Sequence, residues 1–179
     1  MPQPTVVSRR IQSCIKHLLA GQYEDGAIDL FPAIDKTAKR RRPSAKVGDR
    51  IRSFLADDEG LISAIGTGIF IENCTFSGYS FPEAIYKFGR TSIAHEGELD
   101  SRLKFNDDGK LEITDTWNLP SNYLHALAAA VVIAPENSRE FIGEPLKLRL
   151  FGQEFDLNQL WGARDMVRAL VAKQFAPPS

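Results

Sequence analysis

The sequence is poor in the features that most quickly assign a function. Cysteine appears twice in 179 residues, as Cys14 and Cys74, and the two are too far apart in sequence to form a CxxC pair. That spacing argues against a disulfide framework or a zinc knuckle and predicts buried, reduced thiols in a cytoplasmic protein. Excess charge of either sign is absent. At a formal net charge of −1 the chain as a whole has no field to draw in a polyanion, and any nucleic-acid contact must come from a local patch. No window approaches the ~18 consecutive apolar residues of a membrane span. The N-terminal MPQPTVVSRR has no apolar run behind its basic pair, so no signal peptide is expected. Without secretion, Asn73-Cys74-Thr75 reads as a chance match to a glycosylation acceptor. Gly66-Thr67-Gly68 lacks the lysine of a phosphate loop, and the acidic pairs Asp57-Asp58 and Asp107-Asp108 lack the further ligands a metal requires. No cofactor or metal is therefore expected. There is no internal repeat and no low-complexity segment.

What is present fits one globular domain over residues 1–179, with 43% hydrophobic and 25% charged residues. Helical periodicity dominates. Ile11, Cys14, Ile15, Leu18 and Leu19 form one stripe of a helix from about Ser8, taken as its N-cap, to Ala20, with Gly21 ending it and His17 off the stripe. A second helix from about Tyr23 carries Ala27, Leu30, Phe31, Ile34 and Ala38; Pro32 predicts a start near Phe31 or a kink. Pro43 closes it after Lys39-Arg40-Arg41-Arg42. Ser44 is placed to cap a third helix bearing Val47, Ile51, Phe54 and Leu55. Leu61–Ile65 is a further turn or a short separate helix, and residues 66–80 form an irregular connection. Pro82 then opens a helix that packs Ala84, Ile85 and Phe88 inward and ends at Gly97.

After residue 100 the period changes. Leu103 and Phe105, the turn Asn106-Asp107-Asp108-Gly109, and Leu111 and Ile113 predict a β-hairpin over about 102–114. A helix from Pro120-Ser121-Asn122 runs through Tyr123, Leu124, Leu127, Ala128, Val131 and Val132 to Pro135. A second hairpin over about 146–157 sets Leu146, Leu148 and Leu150 against Phe155 and Leu157, turning at Gly152-Gln153. A last helix, starting near Leu157 or Ala163, reaches Phe175 with Trp161, Met166, Val167, Leu170 and Val171 as its apolar members. The fold expected is mainly α: an antiparallel helical bundle over 8–99, extended over 100–176 by helices and one or two accessory hairpins.

The one compact gathering of chemistry-bearing residues is Tyr86-Lys87-Phe88-Gly89-Arg90-Thr91-Ser92-Ile93-Ala94-His95-Glu96. Arg90-Thr91-Ser92-Ile93-Ala94-His95 has the form Arg, four residues, His, and resembles the signature of HEPN domains (higher eukaryotes and prokaryotes nucleotide-binding). In that family the motif lies on a late helix of an α-helical bundle, a layout the preceding helices here match. The resemblance covers residues 8–99 in organisation and the motif alone in identity. It implies a homodimer that faces the Arg and His of both subunits into one cleft, and a metal-independent endoribonuclease acting on single-stranded RNA. His95 would serve as general base or acid on the ribose 2′-hydroxyl, imidazole being the side chain type that ordinarily changes charge near neutrality. Arg90 would hold the scissile phosphate and its developing charge, leaving a 2′,3′-cyclic phosphate. Active members commonly carry Asn, Asp or His directly after the arginine, where this chain has Thr91. The alternative is a non-catalytic interaction or RNA-binding module of the same fold, or a small-molecule pocket among the helices after residue 120.

Supporting contacts are read from neighbouring residues. Arg40, Arg41 and Arg42 could meet an RNA backbone, although cations in a last turn also suit the helix dipole. Tyr86, Thr91 and Glu96 flank the motif as candidate substrate contacts. Tyr79, Phe81 and Tyr86 could stack on bases or fill the core. Arg90 could instead pair with Glu83 or Glu96.

Overall fold

The computed structural model describes residues 4–176. The chain is mainly helical, a bundle with small accessory sheets. Helix α1 (Val6–Leu19) starts two residues earlier than its apolar stripe suggests, because Thr5 rather than Ser8 is the N-cap. The Thr5 hydroxyl accepts a bond from the Val7 amide at 3.1 Å, and Ser8 lies buried inside the helix. Val7, Ile11, Cys14, Ile15 and Leu18 form its buried face against α2 (Tyr23–Arg41). Gly26 allows the approach, since a Cβ there would sit 2.6 Å from Leu18 Cδ2. Pro32 neither starts nor stops α2, which continues through it.

Helix α3 (Val47–Asp57) begins after Lys46, not at Ser44. Asp58 separates it from α4 (Glu59–Thr67), a helix in its own right. The connection that follows contains a two-residue hairpin, β1 (Thr75–Phe76) with β2 (Tyr79–Ser80). From there one continuous helical rod runs to Glu96: α5 (Phe81–Ala84), a π-helical segment (Ile85–Thr91) and α6 (Ser92–Glu96), ended by Gly97.

The strands at 102–114 do not close on each other. β3 (Leu103–Asn106) pairs in parallel with β5 (Trp117–Pro120), and β4 (Glu112–Ile113) pairs antiparallel on the far side of β5. Trp117 and Leu119 are both buried, so β5, carrying the most apolar inward face, takes the centre, and the short β4 is left as an edge. Pro120 ends β5 instead of starting a helix, at a position where its missing N–H costs the ladder little. The second hairpin forms from β6 (Lys147–Leu150) and β7 (Gln153–Asp156), with its turn one residue earlier than Gly152-Gln153 because Gln153 pairs with Leu150. Its turn residues are Phe151 and Gly152, both with positive φ, which matches the twist of the paired strands.

Helix α7 (Asn122–Ile133) is apolar almost all round and lies against α1, α2 and α4, so the bundle's core includes a helix from beyond residue 100. The short α8 (Leu157–Leu160) and α9 (Arg164–Gln174) close the fold. Among the described residues no helix is long and apolar enough to cross a membrane.

Candidate functional site

The rod Phe81–Glu96 is anchored at its start by a capping box. The Ser80 hydroxyl accepts from the Glu83 amide, and Glu83 Oε2 accepts from the Ser80 amide at 2.8 Å. These bonds, first that from the Ser80 backbone, hold the Glu83 carboxyl below its ordinary pKa. Glu83 is therefore committed at this end and is not a partner for Arg90. Phe81, Ala84, Ile85 and Phe88 face the core. The Phe88 carbonyl accepts from the Asp100 amide at 2.9 Å, tying the outgoing loop to the π-helical segment. Such segments change the register of side chains along a helix and recur at functional sites.

That register divides the motif residues. Arg90 lines a cleft of about 190 Å³ with Phe31, Pro32, Asp35, Ile93 and Ala94. Asp35 is already held by Arg50 at 2.7 Å, and Arg90 makes no ion pair among the described residues. Tyr86 and Thr91 border a different cleft, of about 340 Å³, with Arg52, Tyr79, Glu83 and Lys87. There the Arg52 guanidinium lies 5.0 Å from the centre of the Tyr86 ring, and Lys87 donates to the Tyr79 hydroxyl at 2.9 Å. That contact with Lys87 lowers the pKa of the Tyr79 phenol. Thr91 Oγ1 is buried without a hydrogen-bond partner. His95 and Glu96 are exposed on the last turn and line neither cleft. Of the aromatic residues near the motif, Phe81 belongs to the core, while Tyr79 and Tyr86 are half-buried at the surface.

Arg40, Arg41 and Arg42 do not form a free basic patch. Arg41 binds Glu136 at 2.8 Å, Asp57 at 2.9 Å and Asp58 at 3.3 Å, and its guanidinium lies 4.7 Å from the centre of the Phe54 ring. Arg42 binds Asp57 at 2.9 Å, and Arg40 binds Glu140 at 2.8 Å and Asn137 at 2.6 Å. Carboxylates from the following helix and from the 135–140 segment fold back onto the run, which sequence spacing could not reveal.

Burial raises the pKa of Glu140, but donors from Thr5, Arg40 and Ser8 outweigh it and leave the group below its ordinary value of 4.5. A carboxyl depressed in the folded state stabilises above its unfolded pKa and loses that contribution as the pH falls through the folded one. Glu140→Gln is thus expected to lower the urea midpoint at pH 7 and to flatten the decline below pH 4.5. A profile parallel to the wild type's would show that Glu140 does not carry the effect.

Sequence reasoning passed over two constellations. Asp58, set aside as half of an acidic pair without metal ligands, is a buried hub for Arg41, Arg164 and Arg168. His125, on the first turn of α7, opens into a cleft with Asn122, Lys147 and Arg149. The Cys14 thiol is free and buried, and burial pushes its pKa up to about 12; Cys74 is free and half-buried. No group of three or more His, Cys, Asp or Glu among the described residues could hold a metal ion.

On this mainly α scaffold the rod carries an Arg and a His that make no ion pair among the described residues, an arrangement that does not by itself set a chemistry. The family model described as Rv1289 matches residues 6–178, and the chain belongs to that family. It is 25% identical over 163 residues to "Uncharacterized protein Rv1289" of Mycobacterium tuberculosis, covering 78% of this chain and 75% of the relative. "Uncharacterized protein Mb1320" of Mycobacterium bovis matches with the same identity and coverage. No solved structure matches the chain.

Proposed function

We propose that the protein is an HEPN-like module that binds single-stranded RNA along the rod Phe81–Glu96, acting as a homodimer in the cytoplasm. The observation that carries this reading is the cleft in which Arg52 and Lys87 flank the half-buried rings of Tyr79 and Tyr86. Cations supply contacts to phosphate, and phenol rings supply a stacking surface that every base can use. Glu83 in the same cleft accepts from Ser80 and stays an anion, so Arg52 and Lys87 must offset its charge as well as that of a bound phosphate. Arg90, in a separate cleft beside the rod, adds a guanidinium with no carboxylate partner among the described residues. Fluorescence anisotropy with a labelled single-stranded RNA tests the reading. Tyr86→Ala should weaken binding by about 5- to 150-fold, the range for a lost stacking contact of ~1–3 kcal/mol. Lys87→Gln should weaken it and reduce its salt dependence. Affinity unchanged in both variants removes this cleft from the RNA surface.

A second reading, metal-independent cleavage, is favoured by Arg90 and His95 sharing one rod with neither engaged in an ion pair or side-chain hydrogen bond among the described residues. They do not line one cleft within a single copy, so this reading requires the Arg90 of one subunit to act with the His95 of the other. His95→Ala should then lower cleavage of single-stranded RNA in EDTA by about 10²- to 10⁴-fold with the fold intact. Mixing Arg90→Ala with His95→Ala should restore part of the activity, because each heterodimer rebuilds one complete pair. Wild-type cleavage by His95→Ala ends the catalytic reading and leaves the binding reading untouched.

A further inference from the structure

We propose that the cleft walled by α1, α4, α7 and β6 is a binding site for a small organic anion with an apolar tail, separate from the Arg90–His95 rod. Its volume, about 330 Å³, falls within the range of small-molecule sites. The apolar wall comes from Ile15 of α1, Ile65 at the end of α4, and Leu148 and Leu150 of β6, with Leu19 standing exposed at the rim. The polar groups are Asn122 and His125 on the first turn of α7 and Lys147 and Arg149 on β6.

Three features of this set select an anion. None of the lining residues is acidic, although the chain as a whole carries slightly more acids than bases. Arg149 makes no ion pair within 4 Å among the described residues, although it lies across the hairpin from Glu154, which Lys147 binds at 2.6 Å. The first turn of α7, which supplies Asn122 and His125, also carries the positive end of a helix of three turns. Neither ring nitrogen of His125 has a hydrogen-bond partner among the described residues. Burial lowers the imidazole pKa, so at neutral pH the ring presents one N–H donor and one acceptor to the cleft. A carboxylate headgroup would be met by the Arg149 fork, the Asn122 amide and the imidazole N–H. The tail would cover the half-buried Ile65 and Leu148 and the exposed Leu19 at the rim.

Octanoate is the probe. Added to the full chain, it should shift the ring resonances of His125 saturably and leave those of His17 and His95 in place. Octanol and octylammonium, which share the tail and lack the negative headgroup, should bind at least tenfold more weakly. Arg149→Gln, a change at an exposed strand position, should weaken octanoate by about tenfold while leaving octanol unchanged, and Lys147→Gln should have a smaller effect in the same direction. Octanol binding as tightly as octanoate, shifts at all three histidines, or octanoate affinity unaffected by Arg149→Gln would each overturn the site. These outcomes are independent of RNA binding at Tyr86 and of cleavage through His95.

Discussion

Replacing Asp58 by Asn should destabilise the protein by about 3–5 kcal/mol, among the largest losses available to any change of one functional group in this chain. The Asp58 side chain is only 1% exposed and joins three guanidiniums from distant parts of the sequence. Arg164 reaches it at 2.6 Å from α9, Arg41 at 3.3 Å from α2, and Arg168 at 3.5 Å. An amide keeps the shape and removes the charge, so the substitution separates ion pairing from packing. Arg41 keeps Asp57 and Glu136 as partners, whereas Arg164 keeps only a long contact to the Asp57 carbonyl, at 3.4 Å. The larger part of the loss should therefore come from Arg164, which is itself only 17% exposed. Arg164→Met in the Asp58→Asn background should cost less than the same change in the wild type, because the guanidinium no longer has a carboxylate to lose. Urea denaturation gives the energies, and thermal unfolding should fall by roughly 10 °C for a chain of this size. A loss below about 1 kcal/mol would mean that the pair breaks even against its own desolvation.

The same hub marks where reading the sequence stops. Helical stripes were legible because Ile11, Cys14, Ile15 and Leu18 repeat at the helical period and are all buried, but Leu19, read with them, is exposed, and the buried Val7 lay outside the expected helix. The start of the rod could be placed at Pro82 because fixed φ and a preceding Ser are local signals. Asp58 carries no such signal. Its meaning depends on arginines 17, 106 and 110 positions away in sequence, which only the packing of α2 and α9 brings together. β5 escaped for a similar reason: Trp117 and Leu119 alternate correctly, but the stretch is short and its main partner, β3, is parallel. Parallel pairing needs a crossover and leaves no hairpin signature. At the candidate site the sequence correctly put Arg90 and His95 on one helix. It could not show that Arg90 and Thr91 line different clefts, because those clefts are made by what packs against the rod.

Gly89 and Phe31 are that packing, and their coupling should be measurable. Phe31 is buried, and a Cβ added to Gly89 would lie 2.4 Å from Phe31 Cζ and 3.3 Å from Leu103 Cδ2. Contact at 2.4 Å cannot be relieved by a flexible chain end, since the ring is enclosed by the core. Gly89→Ala should therefore cost about 1–3 kcal/mol by overpacking. Phe31→Ala should cost about 3–5 kcal/mol through lost burial and the cavity left behind. The double variant should be more stable than the sum of the two losses predicts, by roughly 1 kcal/mol or more, because the new methyl group occupies space the ring has vacated. Urea midpoints of the wild type, both single variants and the double variant close the cycle; strict additivity would mean that the rod moves away from α2 instead of pressing on the ring. The cycle also bears on the site, because Phe31 is a wall of the Arg90 cleft and Gly89 is its chain neighbour. The close approach that lets the core accept the rod at Gly89 is thus what sets Arg90 beside Pro32 and Asp35, in a cleft separate from that of Tyr86.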